Sequence, residues 1–311
     1  MNTNFISNGF ENKSLSEQIN DIKNAKMSRR EKINALVKLG LRENEVCVIL
    51  PAEHRESQPR FTFTFGVEIE CIMPRERFEN IATATGVNYQ FERYNHTDNR
   101  EYFKFTTDGS LSRTSGREGD PIECVSPILD GNKAGFDKLQ ACCGALNEAG
   151  TYVNRSTGLH VHIGASQLSG KQYVNVFKNY KMLQNVISSF LAPSRRNAYY
   201  CMPISDHNFS WCENASDVLS EMDNDRYHSV NPRAFGAHGT IEFRQHQGTT
   251  NFTKIKNWVN FCAKLVAYSM NNVIESEITS IDEIPFLTAT EKQFFKARKN
   301  AVNATREVEA A

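Results

Sequence analysis

At 311 residues, with 40% hydrophobic and 10% aromatic residues, the chain has apolar material for one large domain or two ordinary ones, which excludes global disorder. Thirty-six basic residues balance thirty-six acidic ones, so no broad field draws the molecule to nucleic acid or to an anionic membrane. The eight cysteines form no C-x-x-C pair, no apolar run approaches the ~18 residues of a membrane span, and the N-terminus lacks a basic stretch leading into an apolar core; the chain reads as cytoplasmic, with reduced, buried thiols.

In chain order, residues 1–13 are polar and Asn-rich. Ser14 with Glu17, and Ser28 with Glu31, have capping-box spacing and predict two helix starts. Ile33, Leu36, Val37 and Leu39 make the apolar stripe of the second, Gly40 suits its end, and a shorter helix is expected over 44–50. This basic helical hairpin could serve as a DNA-reading helix-turn-helix, but a solvated surface is the simpler reading of its lysines and arginines. A charged linker over 52–60 closes a first region, 1–60. Strands are then expected at 61–72, 101–107, 121–126, 158–165 and 239–246, and helices at 132–149, 169–191 and 251–273, the middle one capped by Ser169. This second region, 61–273, is α+β: helices pack on one face of the sheet and the other face stays open for a cleft. Residues 274–311 follow as a helical tail.

The polar positions of the strands carry the chemistry. In GVEIE, Glu68 and Glu70 leave one face while Val67 and Ile69 leave the other. TGLHVHIG repeats this with His160 and His162, and GTIEFRQHQGT, by the same alternation, groups Glu242, Arg244 and His246. Glu123 lies on a short apolar strand, IECVSP. A merely wet face would carry Lys, Thr, Ser and Gln; one built from Glu, His and Arg alone incurs desolvation that a bound ligand would repay. Carboxylates with histidine suit Mg²⁺ or Mn²⁺, while the lack of thiolates argues against structural zinc and leaves catalytic zinc open. An arginine beside them has a fork suited to phosphate, or else a structural ion pair with Glu242 or Glu123.

The ordered set GVEIE, TTDGSL, ECVSP, TGLHVHIG, RYHSVNP and GTIEFRQHQGT resembles the amidoligase family of carboxylate-amine ligases, within the glutamine synthetase and glutamate-cysteine ligase superfamily. The resemblance covers about 61–270 and implies a glutamine synthetase-like curved antiparallel sheet with divalent ions, two by the residues that match, between ATP and the substrates. It assigns Glu68, His160 and Glu242 to the ion nearest the transferred phosphate and Glu70 with Glu123 to a second. It turns His162 towards the nucleotide and gives Arg244 to phosphate or acyl phosphate; His246, grouped with them by alternation, is a further cofactor-binding candidate. Arg226, Tyr227 and Asn231 of RYHSVNP fit the family pattern beside the active centre, as substrate or phosphate contacts or as a packed loop. Asp108 of DGS is a candidate further carboxylate and equally a turn residue. Carboxylate and amine substrates are implied, peptide or cell-wall fragments among them. The rivals are a kinase of the same fold, a metal-dependent hydrolase, and a binding protein with a degenerate site.

Overall fold

Segments that alternate in polarity fold as strands, and segments with helical spacing cover one side of them. The computed structural model describes residues 13–26, 29–41, 61–93, 95 and 97–310. The chain divides into two units, Met1–Gln58 and Pro59–Ala311.

In the first unit, α1 (Leu15–Asn24) opens on the expected capping box: the Ser14 hydroxyl accepts from the Glu17 amide, and the Glu17 carboxylate accepts from the Ser14 amide at 2.8 Å. A second helix, α2, spans Arg29–Lys38 and buries Ala35 and Leu36 while Val37 is 49% exposed. The Ser28 cap, the 44–50 helix and the 52–60 linker lie outside the described residues.

The second unit is built on one open, mostly antiparallel sheet of eight strands: β1 (Thr64–Met73), β2 (Tyr89–Phe91), β3 (Phe103–Thr107), β4 (Asp120–Val125), β5 (Leu129–Asp130), β6 (Gly158–Gly164), β7 (Val230–Asn231) and β8 (Thr240–Gln247). Their order is β2-β3-β4-β1-β6-β8-β7, with β5 also paired to β1 and only β2 and β3 parallel. Between and after them run α3 (Arg75–Thr85), α4 (Lys133–Glu148), α5 (Gly170–Phe190), α6 (Ala215–Glu221), α7 (Ala234–His238), α8 (Phe252–Ser269) and α9 (Ala289–Ala310). Alternation divides the sheet cleanly. Phe65, Val67, Ile69, Phe105, Cys124, Leu159, Val161, Ile163, Ile241 and Phe243 form one apolar core with Phe78, Phe136, Leu139, Phe177, Tyr180, Leu183, Trp258 and Phe261 of the helices. Ser169 starts α5 with a reciprocal cap to Gln172. The tail joins the same core, where Phe295 meets Phe190 with ring centroids 4.6 Å apart. Cys71 and Cys124 lie in this core, facing away from their glutamate neighbours. Among the described residues no helix is long and apolar enough to cross a membrane.

Candidate active site

Strand register sets the functional residues side by side on the polar face. Glu70 pairs with Glu123 across β1 and β4, Glu68 with His160 across β1 and β6, and Glu242 lies between His162 of β6 and Asn231 of β7. These side chains line a cleft of about 1350 Å³ that also takes in Asp108, Arg195, Arg226 and Arg244.

Contacts tie the rows together. Glu68 Oε2 lies 2.8 Å from His160 Nδ1, and Glu68 Oε1 lies 3.3 Å from His162 Nε2 in a charge contact without hydrogen-bond alignment. His160 also approaches Glu242 Oε1 at 3.6 Å through Nδ1 and Glu70 Oε1 at 3.5 Å through Nε2. Glu242 is 4% exposed and accepts from Asn231 Nδ2 at 2.5 Å and from the Arg244 guanidinium. The Thr240 hydroxyl, 2.9 Å from His162 Nδ1, fixes that ring so that Nε2 faces the carboxylates. Arg244 Nε donates to the Tyr200 carbonyl at 3.3 Å.

Three overlapping groups bring their ligand atoms within 4.8 Å of one another: Glu68 with His162 and Glu242, Glu68 with Glu123 and His160, and Glu70 with Asp108 and Glu123. The last group unites Glu70 with Glu123 and draws in Asp108, whose carboxylate also accepts from the Ser110 amide at 2.8 Å, so that residue is both turn former and cleft carboxylate. The first two divide differently from the expected partition, because His162 rather than His160 groups with Glu68 and Glu242.

Burial and mutual charge set the titration of the cluster. Burial pushes the Glu123 carboxyl well above the usual range, and the charges of Glu68, Glu70, Asp108 and Glu242 push it the same way. Burial also raises Glu68, yet His160 and His162 overcome it and hold that carboxyl well below its ordinary value. At Glu242 burial is outweighed by Arg244, then His162, and the carboxyl stays low. Burial works against a charged His162, but Glu68 and Glu242 keep its imidazole raised. Carboxylates that repel one another around an imidazole pair form a hard, oxygen-rich donor set with nitrogen at its edge, which fits Mg²⁺ or Mn²⁺.

One expectation is corrected. His246 does not share the face of Glu242 and Arg244: the ladder between β6 and β8 slips between Leu159 and Val161, a β-bulge that sets two β8 residues against one. Gln245 turns to the helices as alternation expects, its side-chain oxygen accepting from Tyr180 at 2.7 Å and Gln184 at 2.8 Å, and the slip sets His246 opposite Leu159 on that same side, its ring tilted against Trp258 with centroids 5.5 Å apart. Burial drives its imidazole down to about 3, so it is neutral.

The cleft also holds Lys104 and Arg195, which no motif marks, beside Arg226 and Tyr227 of RYHSVNP. Lys104, 5% exposed on β3, donates to the carbonyls of Asn95 and Thr97 and secures that wall. Arg226 lies over the Tyr227 ring, 5.1 Å from its centroid, and Tyr227 meets Tyr199 and Tyr200, themselves 64% and 49% exposed. Arg195, in a short 3₁₀ turn (Pro193–Arg195), is 4% exposed and donates from Nη2 to the Arg244 carbonyl at 2.8 Å.

Fold and site together define an α+β protein whose open sheet face gathers carboxylates and imidazoles inside a cleft, in groups that could hold a metal ion. Residues 62–266 match the family model described as "Putative amidoligase enzyme", two thirds of the chain. The chain belongs to this amidoligase family, which makes it an enzyme of ligase type. Among curated proteins none matches it.

Proposed function

We propose that this protein is an ATP- and divalent-metal-dependent carboxylate-amine ligase that forms an amide through an acyl phosphate. The observation that carries the reading is the convergence of Glu68, Glu70, Glu123, Glu242, His160 and His162 on one sheet face, with Arg244 beside them. Glu68, Glu70, Glu123, Glu242, His160 and His162 would hold divalent ions, which would supply charge neutralisation for phosphoryl transfer. Glu68, His162 and Glu242 make one donor group, Glu70, Asp108 and Glu123 another, and His160 stands between them; two ions suit the set.

The protein's own groups supply position and field. Asn231 and Arg244 fix the two Glu242 oxygens. Thr240 orients His162. Arg244, anchored to the Tyr200 carbonyl, presents its charge to the cleft, where it can meet a phosphate or the acyl phosphate. Ligands mounted on neighbouring strands are held rigidly, which lets charge stabilisation act without reorganisation. Arg226 lines the same cleft as a substrate or phosphate contact. The resemblance to glutamine synthetase supports the same use of the E-x-E, H-x-H and IEFR strands.

The path through an acyl phosphate is tested with ¹⁸O-labelled carboxylic acids, Mg²⁺, ATP and an amine pool. Label recovered in inorganic phosphate, together with an amide product, is the expected result. A stable phosphorylated acid without amide would assign the kinase, and metal-dependent hydrolysis without ATP the hydrolase.

A further inference from the structure

Arg195 poses a problem of charge. It is 4% exposed, yet among the described residues it forms no ion pair. Its Nη2 is used by the Arg244 carbonyl, and its Nε, also buried, has no hydrogen-bond partner. Burying a guanidinium without a counter-charge, and leaving one of its N–H groups unmet, is costly on both counts. A structural role for the Nη2 bond explains neither the charge nor the orphan Nε.

Arg195 lines the cleft, as do Arg155, Ser156, Ser194 and Tyr200. Gly158 separates it from Glu70. A Cβ there would stand 2.9 Å from Arg195 Nη2 and 3.2 Å from Glu70 Oε2, so only glycine keeps this gap open. Glu70 lies across the gap without closing an ion pair on Arg195, and its Oε2 accepts from the Gly158 amide at 2.5 Å.

We infer that Arg195 is the anchor of an oxyanion-binding subsite on the Glu70 side of the cleft, distinct from the phosphate role of Arg244, and that it receives a carboxylate or phosphate group of a substrate. A guanidinium fork matches either group, and a bound oxyanion supplies a counter-charge inside the cleft that the side chain lines. The assignment deepens the ligase reading and rests on it for the source of the oxyanion, either a second carboxylate of the acid substrate or an ATP phosphate. Binding measured without turnover keeps failure of the one apart from failure of the other.

The test titrates inorganic phosphate and succinate, in EDTA, into the full-length protein and into Arg195→Gln and Arg195→Lys, following heat and the arginine ¹⁵N–¹H Nε signal. In the wild type at least one probe should bind and shift the signal that Arg195→Lys removes. In Arg195→Gln that probe should bind about tenfold more weakly, with Arg195→Lys between them. Repeating the titration with MgATP separates the sources: weakened MgATP assigns a phosphate, and weakened succinate with unchanged MgATP assigns the second carboxylate. Neither probe binding the wild type, or an Arg195 signal that ignores both, overturns the subsite. Should Arg195→Gln fail to fold, the wild-type signal and Arg195→Lys still decide.

Discussion

Glu123 is a carboxyl that burial and its acidic neighbours drive towards the protonated form. Its raised pKa means that, in EDTA, the folded protein holds this proton to higher pH than the unfolded chain does. Its contribution to stability is therefore complete below the unfolded value, about 4.3, and is lost as pH rises through the folded value. Glu123→Gln should remove that loss, making the metal-free protein more stable than wild type at alkaline pH by about 1 kcal/mol, while weakening Mn²⁺ binding about tenfold or more. Denaturant melts in EDTA and Mn²⁺ titration check the two signs; a variant that is weaker in both would mean Glu123 is held by something other than carboxylate repulsion. His246 titrates in the opposite sense. Neutral and buried at about 3, it binds no proton in the folded state while the unfolded imidazole, near 6.5, does, so stability falls as pH drops from about 6.5 towards 3. Against wild type, His246→Gln should flatten this slope, which for one proton is at most about 1.4 kcal/mol per pH unit. Because His246 lies on the helix side, the same variant should leave Mn²⁺ affinity unchanged; a large loss would place the residue back in the cleft.

At the scale of elements, the strands explain what the sequence reveals and what it hides. Glu68, Glu70, His160, His162 and Glu242 were legible because a two-residue period on an edge-to-edge ladder fixes the face, and the register then brings the rows together. His246 was misplaced because the bulge breaks that period without a glycine or proline to announce it. Helix α3 and the short strands β2, β5 and β7 fall in segments too brief or too mixed for periodicity to resolve, and Arg195 and Tyr200 enter the cleft through tertiary packing that no local pattern encodes, whereas Lys104 follows from its alternation with Phe103 and Phe105 on β3. The close approach at Gly158 gives an element-level prediction. Gly158→Ala must displace Arg195 or Glu70, and should cost about 1–3 kcal/mol of stability; a neutral effect in a denaturant melt would mean that the wall yields easily. Ser169, which does not line the cleft, gives a second: Ser169→Ala should cost about 1 kcal/mol through the α5 cap alone, without altering Mn²⁺ affinity.

For the whole molecule, one face of one sheet serves the core and the other the cleft, so stability and chemistry are written on alternate residues of the same strands. All the cleft residues belong to the unit Pro59–Ala311, and a fragment beginning at Pro59 should retain wild-type Mn²⁺ affinity by calorimetry; loss of binding would give the first unit a part in the site. The central claim, that this face carries ATP-dependent amide formation, is tested most directly by measuring ADP and phosphate release with Mg²⁺ or Mn²⁺ over a pool of carboxylates and amines, in wild type, Glu68→Ala and Glu242→Ala. The account predicts release that depends on the amine, is abolished in both variants, and accompanies an amide detected by mass spectrometry. A wild-type protein that binds the metal but neither binds nor turns over ATP would contradict it.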